Sequence, residues 1–501
     1  MVSIGGNDCV TTQSRFHLLP MKTNFMLRIS LTLVVLASLA PSIIRAANSN
    51  TTNGLDPALV KFVEAKKVQV QGMRQDMNLD LPPEVSQFFD SVLADDFARA
   101  TNLFRILSPF NQPTDSVRSF PDLRKGPICP LMEVIGAYDQ SHLWGSRLAH
   151  LYGDEIIKSI PAGSIYFGGT DAGRSIVSAL SDSQIEGKPF FTLTQNALAD
   201  ETYVDYLRRI YGKQVHLPSA SEMQIAFSTY VKDVQSRFKH DSDPALSAEP
   251  RQLKSGEAPI DSGNGKVAVT GQVSVMAINA LLAKAIFDAN PNREFYLEES
   301  FPLDWIYPRA TPNGPIVKIN RNPVPELTED MVQQDRLYWR HLTGMLIGDW
   351  ITQETSLKEI CDFATRIYLD KELQAFKGDK SFAASKEAHI SFAKLRLTIA
   401  DVYAWRLGFL LQTSTPAECL PKSGEARARM IAAADYAYRQ AFALCPESSE
   451  VVYRYVQFLG SNGRFADALL VASTSLKLEP ANEGMSSLVK QLKPLANQQE
   501  K

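Results

Sequence analysis

Residues 160–212 read IPAGSIYFGGTDAGRSIVSALSDSQIEGKPFFTLTQNALADETYVDYLRRIYG, and this stretch predicts the fold of the region around it. Ser164–Phe167 and Phe190–Thr194 are short apolar runs of β-favouring residues, which are typical of buried strands. Apolar residues at helical spacing follow each run, from Ile176 and from Thr202. A strand–turn–helix unit that repeats in this way builds a sheet covered by helices.

Strands and helices continue to alternate downstream of this stretch. Val273–Phe287 predicts a long apolar helix, whereas Arg293–Glu298 and Ile316–Ile319 predict strands. Because such alternation is typical of parallel strands with crossover helices, we expect a mostly parallel sheet with helices on both faces. This α/β domain is predicted over residues 131–325.

Helical periodicity prevails in every segment from Thr328 onward. Leu444-Cys445-Pro446 recurs 34 residues later as Leu478-Glu479-Pro480, and Gly463 and Ala468 stand between the two. In a tetratricopeptide repeat, these positions carry the terminating proline, the turn glycine and the close-packed alanine. The preceding unit matches the second helix of such a repeat at four positions: Ala434, Tyr438, Ala441 and Pro446. The end of the chain therefore resembles the tetratricopeptide family.

The predicted organisation is α/β followed by all-α, with an export signal ahead of both. Linking helices are expected over residues 326–390, and the tetratricopeptide-like array over 391–495. Residues 48–130 predict a helical region and a proline-rich connector. Residues 21–47 have the basic start, the twelve-residue apolar core and the small residues before a cleavage point that a secretory signal peptide has, and 1–20 read as a start-site extension. The apolar core is too short for a good membrane span, so we expect a secreted or periplasmic protein with no stable span after cleavage. The alternative is that the segment is kept as an uncleaved anchor.

Charge and motif content disfavour several function classes. The net charge is −3 and no long run of one sign is present, so a nucleic-acid partner is not expected. The sequence has no Walker A motif, no nucleophile elbow, no HExxH and no GxGxxG after a strand. No cofactor and no metal ion is therefore predicted.

Four cysteines follow the signal peptide: Cys129, Cys361, Cys419 and Cys445. They are widely spaced and form neither a CxxC motif nor a Cys/His pair at zinc spacing. In an oxidising compartment they allow one or two disulfides, for which three pairings exist. Buried free thiols explain the same pattern, because cysteine is among the most buried residue types.

One candidate binding site is the glycine-rich turn after the first predicted strand. Gly168, Gly169 and Gly173 surround Thr170 and Asp171, and Arg174 follows at once. Exposed backbone N–H groups at a helix start form a cradle for an anion or a sugar phosphate, and a carboxylate here could bind sugar hydroxyls. We therefore name four residues as candidate ligand contacts: Gly169, Thr170, Asp171 and Arg174. The alternative is that Thr170 or Asp171 only caps the following helix.

A second candidate site follows the strand at Arg293–Glu298. Glu298, Glu299 and Asp304 stand near Trp305 and Tyr307, and carboxylates beside aromatic faces suit carbohydrate binding or glycoside chemistry. Successive residues of a strand point to opposite faces, so Glu298 and Glu299 are not expected to serve one site. We name Glu299 and Trp305 as candidate contacts; packing of the aromatic residues at the end of the sheet is the alternative.

Residues 155–325 also resemble the extramembrane part of a family of multi-spanning envelope proteins described as protein O-mannosyltransferase-like. The resemblance rests on Ser164–Asp171, on Asn196, Leu198 and Tyr206, and on three later segments: Val273–Phe287, Arg293–Tyr296 and Gly314–Ile319. This chain lacks the multi-pass membrane half in which the transferase chemistry of such families is expected, so no catalytic residue is carried over. The resemblance implies an exported accessory domain that acts on envelope glycans or glycosylated partners.

Two functions are consistent with these observations. The first is an exported binding or scaffold protein, whose repeat tail docks a protein partner and whose α/β domain binds a small polar or glycan ligand. The second is an enzyme that acts on sugars or sugar phosphates, with Asp171 and Glu299 as its carboxylates. The absence of a known catalytic motif favours the first.

Overall fold

The computed structural model describes residues 54–108, 120–238, 258–261, 267–270, 272–298, 303–410 and 414–499. The predicted signal peptide and the extension before it lie outside these residues. The first described helices are α1 (Pro57–Asp76), α2 (Pro83–Leu93), α3 (Phe97–Leu107), α4 (Ile128–Trp144) and α5 (Ser146–Lys158). The buried residues of α1–α3 and most of those of α4 belong to one apolar core, and those of α5 to another.

Seven strands are described: β1 (Ile165–Gly168), β2 (Phe191–Thr194), β3 (Ala258–Asp261), β4 (Val267–Thr270), β5 (Phe295–Leu297), β6 (Ala310–Asn313) and β7 (Ile316–Ile319). β3 and β4 form a separate antiparallel hairpin, and the other five strands form the central sheet. The helices between them are α6 (Asp171–Ala179), α7 (Glu201–Tyr211), α8 (Ala220–Phe238) and α9 (Gln272–Ala289).

The central sheet is mixed, with strand order β2–β1–β5–β7–β6. β1 pairs in parallel with β2 and β5, whereas β7 is antiparallel to both β5 and β6. The prediction of a mostly parallel sheet is therefore wrong. Its physical reason lies in the connection between β6 and β7, where only Gly314 and Pro315 intervene. A turn this short can join only antiparallel strands, because parallel strands need a long crossover.

Helices cover both faces of the central sheet. Ile165 and Phe167 of β1 enter an apolar core that includes residues of α1–α4 and α7–α9. Tyr166, between them, enters a second core with α5 and α6, because successive side chains of a strand point to opposite faces. The region is therefore an α/β structure in which one sheet is packed between helices on both faces.

An all-α region follows the sheet, as expected. Its helices are α10 (Glu329–Ile347), α11 (Leu357–Ala364), α12 (Lys380–Ala384), α13 (Lys386–Arg406), α14 (Gly424–Leu444), α15 (Ser449–Ser461), α16 (Phe465–Leu478) and α17 (Glu483–Gln499). We refer to α13–α17 as the helical array. The core on the Tyr166 side of the sheet continues through α10 and α11 into every helix of the array.

A buried polar network fixes the start of the array to α10. Arg396 of α13 forms an ion pair with Asp335 of α10, at 2.9 Å, and both side chains are almost completely buried. Tyr403 donates to the same carboxylate at 2.8 Å, and the Arg396 Nε donates to Gln440 of α14 at 2.9 Å. Because breaking a buried pair leaves an uncompensated charge, this network specifies how the three helices pack.

Two further sequence predictions concern membrane-spanning helices and the state of the cysteines. Within the described ranges, no helix is long and apolar enough to cross a membrane. All four cysteines are buried and carry free thiols: Cys129, Cys361, Cys419 and Cys445. Burial raises the pKa of the Cys361 thiol to about 11. The sequence allowed either disulfides or buried free thiols, and the structure contains buried free thiols.

Candidate functional site

The glycine-rich turn lies where β1 ends between its two parallel neighbours. The chain leaves β1 to form β2 on one side and later returns to form β5 on the other. In open α/β sheets, ligands bind in the crevice at such a switch point, outside the carboxyl ends of the strands. The predicted turn therefore stands at the place in the sheet where a ligand is expected.

Thr170 caps the helix that follows this turn. Its Oγ1 accepts a hydrogen bond from the Gly173 N–H at 2.9 Å, which satisfies one of the free N–H groups at the start of α6. The same hydroxyl donates to Glu298, at 2.7 Å. The capping role was the alternative at this turn, and it holds for Thr170.

Glu298 occupies the anion cradle that the turn was expected to offer to a ligand. It follows β5 directly, and its side chain is completely buried. Oε2 accepts from the backbone N–H groups of Gly169 and Thr170 at 3.0 and 2.9 Å. Oε1 accepts from the hydroxyls of Tyr152 and Thr170 at 2.8 and 2.7 Å. Four donors thus surround one carboxylate of the chain itself.

Gly173 and two tyrosines complete the enclosure of Glu298. A Cβ at position 173 would lie 2.1 Å from the Glu298 Oε2, so only glycine leaves room for the carboxylate. Burial raises the pKa of Tyr152 well above its ordinary value, and the neighbouring Glu298 raises it further. Tyr166 is buried beside them and donates to the Gly173 carbonyl at 3.0 Å. Both phenols therefore stay protonated and act as donors.

Asp171 points away from this cradle and forms an ion pair with Arg174, three residues later on the same helix. About a third of the Asp171 side chain is exposed, against 15% for Arg174. Asp139 of α4 lies nearby, and burial raises its pKa to about 6. The carboxylates of Asp171 and Glu387 raise this pKa further, while His142 lowers it. A carboxyl group that titrates near neutral pH therefore stands beside Asp171.

Amide side chains line the adjoining end of β2. The Asn196 Nδ2 donates to the Gly169 carbonyl at 3.0 Å, and Asn279 of α9 donates to the Asn196 carbonyl at 3.0 Å. Gln195 is completely buried, and neither its Oε1 nor its Nε2 has a hydrogen-bond partner in the described part of the chain. These contacts hold the turn against β2 and α9.

The second predicted constellation is described only in part. Glu299 lies outside the described residues. The Trp305 ring contacts α9: its Nε1 donates to the Ala280 carbonyl at 3.2 Å, and the ring packs 5.2 Å from that of Phe287. Trp305 therefore packs at the edge of the core, as the structural alternative predicted.

Two residues that the site prediction omitted stand out in the structure: Glu298 by its hydrogen bonds and Asp139 by its raised pKa. The sequence prediction names Glu299 rather than Glu298 as the ligand contact, and it does not include Asp139. The signal for Glu298 was its position at the carboxyl end of a strand, because parallel neighbours bring such positions together. Within the described residues, no group of three or more His, Cys, Asp or Glu side chains is arranged to hold a metal ion.

Comparison of the chain with models of known families, with curated proteins and with solved structures finds no match. The resemblances to tetratricopeptide repeats and to the envelope family therefore rest on the sequence motifs alone.

Proposed function

We propose that the protein is an exported, non-catalytic binding protein whose α/β region supports the helical array and whose array docks a protein partner. One observation carries this proposal: Glu298 fills the switch point of the sheet and uses all four of its donors. A turn whose acceptor is already part of the chain serves to hold β1, β5 and α6 together. The export part of the proposal rests on the signal-like residues 21–47.

The surface proposed for the partner lies on the last helix of the array. α13 is unsuited to this role, because 15 of its 21 residues are buried. α17 instead buries one stripe against α16 and exposes the other: Lys490, Lys493 and Leu495 are exposed, the last by 39%. The two lysines lie on one side of the buried stripe and Leu495 lies on the other. The exposed surface of α17 therefore suits a partner with acidic and apolar side chains.

A capture experiment with matched variants tests the proposal. Full-length protein is cross-linked in its own compartment, and the variant K490E/K493E/L495E is compared with I225E, an exposed control on α8. We expect partner capture to fall at least tenfold in the α17 variant only, and to persist in D171A. Loss of capture in D171A with retention in the α17 variant would contradict the proposal.

A second candidate function is an enzyme that acts on sugars or sugar phosphates. The observation that favours it is Asp139, whose pKa of about 6 suits a general acid or base near neutral pH. Asp171 would be its partner carboxylate, because paired carboxyl groups in different environments divide the acid and base roles. Turnover of a sugar substrate that is lost in both D139N and D171A, with folding retained, would establish this function instead.

A further inference from the structure

A cavity separates the end of the α/β region from the helical array. Its walls come from the segment after β7, from α10, from the last turn of α13, and from residues 419–432 in the approach to α14 and in α14 itself. Its volume is about 330 Å³, which is at the lower end of the range for small-molecule sites. The cavity is remote in sequence from the glycine-rich turn and shares no lining residue with it.

Arg406 lines this cavity and lacks acceptors for part of its guanidinium group. The side chain is 1% exposed, and its Nη1 donates to the backbone carbonyls of Val324 and Pro325, at 2.7 and 3.0 Å. Its Nε and Nη2 are buried and have no hydrogen-bond partner in the described residues. These two nitrogens share one edge of the planar group, the edge that binds a carboxylate through two parallel hydrogen bonds.

No ion pair neutralises the charge of Arg406 within the described residues. Arginine stays protonated in proteins, although burial lowers its pKa here. Glu326 lines the same cavity and its negative charge raises the pKa of Arg406, but its side chain is exposed and forms no ion pair with Arg406. An unpaired buried charge with two unused donors is costly unless an anion completes it.

The rest of the lining restricts the kind of anion. Arg429 also lines the cavity, but it is already engaged by Glu425 at 2.9 Å and Glu329 at 3.4 Å. The buried side chains of Leu327, Val332 and Met430 supply an apolar wall. Arg336 also lines the cavity and donates to Gln333 at 3.0 Å, without an ion pair in the described part of the chain. The bidentate edge of Arg406 beside an apolar wall matches a carboxylate on a short apolar body.

We propose that this cavity binds a small organic carboxylate, with the Nε and Nη2 edge of Arg406 recognising the carboxylate group. This site is independent of the proposed partner surface on α17, so either proposal can fail without the other.

Titration of the full chain with hexanoate tests the proposal, and hexanamide is the matched neutral probe. We expect hexanoate to bind and hexanamide not to bind, since only the anion completes the guanidinium. In R406M we expect hexanoate affinity to fall by at least tenfold, because a charge-assisted bidentate pair is lost. R427M, the same change at an arginine of α14 outside the lining, should leave affinity unchanged. Circular dichroism verifies that each variant is folded.

A second variant keeps the test decisive if R406M does not fold. A426F places a ring in the cavity wall and should abolish hexanoate binding while Arg406 is intact. Failure of hexanoate to bind the wild-type chain at millimolar concentration would overturn the proposal, as would unchanged affinity in A426F. Tighter binding of inorganic phosphate, or of a hexapeptide with a free but not an amidated C-terminus, would assign the cavity to another anion.

Discussion

Glu298 differs from every other carboxylate near the glycine-rich turn in what surrounds it. Asp171 is partly exposed and pairs with Arg174, whereas Glu298 is sealed among four donors. Hydrogen bonds to a charged group contribute more than neutral ones, and buried donors are costly when left unmade. At the scale of the residue, Glu298 is therefore the side chain on which the architecture of the turn depends most.

Replacement of Glu298 by glutamine should destabilise the protein. The amide keeps the shape of the side chain, but its NH₂ group faces donors that have lost their acceptor. We expect the free energy of unfolding to fall by about 2 kcal/mol or more, measured by urea denaturation. The control is E294Q, which removes an exposed carboxylate that pairs with Lys318, and which should cost less than about 1 kcal/mol. Equal, small effects of the two changes would contradict this account.

The position of Glu298 could be predicted only in part. The sequence places it at the end of a strand, and the glycines of the turn indicate an anion cradle. What it does not contain is the sheet order, and only the adjacency of β1 and β5 brings Glu298 to Gly169. The local sequence pattern therefore predicted an anion-binding turn, but only the pairing of β1 with β5 places Glu298 in it.

Helix ends and strand directions were the less predictable features at the scale of the element. Glu84–Leu107 has a continuous apolar pattern, yet it forms α2 and α3, because Asp95 has a φ of +56° and Asp96 caps the second helix. The two-residue turn between β6 and β7 likewise makes β7 antiparallel to β6, which the strand pattern alone did not predict. In contrast, Gly424–Leu444 and Ile316–Ile319 are well defined by periodicity alone. Patterns locate an element, but one residue in an unusual conformation decides where it stops.

Gly173 and Gly72 provide a matched test of the packing between α6 and β5. Both stand inside helices, but a Cβ at position 173 would overlap Glu298, whereas one at position 72 would meet nothing within 4 Å. We expect G72A to stabilise the protein by about 0.5–1 kcal/mol, because alanine favours the helix. G173A should destabilise it by about 1–3 kcal/mol, as overpacked cores do. Urea midpoints of the two variants that shift in the same direction would contradict the assignment.

At the scale of the whole molecule, one of the two large apolar cores extends across the expected domain boundary. One face of the sheet, α10, α11 and the helical array share it, so the boundary expected near residue 325 does not separate two cores. Composition and periodicity predicted an α/β region followed by helices. They carried no information on how the two would pack, because that depends on contacts between residues far apart in the sequence.

The shared core predicts a single cooperative unfolding transition. Removing the array would expose part of the apolar core on the Tyr166 side of the sheet, so neither part is expected to stay folded alone. Urea unfolding of the full chain should give coincident midpoints by far-ultraviolet circular dichroism and by tryptophan fluorescence. Two separated transitions, or a stable fragment of residues 54–325, would contradict it.

The sealed turn also has a consequence for the chemical environment of the protein. Glu298 binds the donors of the turn intramolecularly, so its effective concentration there is far higher than that of a dissolved anion. A free phosphate or carboxylate at millimolar levels would have to displace an intramolecular partner that never diffuses away. The turn is therefore expected to keep its geometry when the concentrations of small anions around the folded protein change.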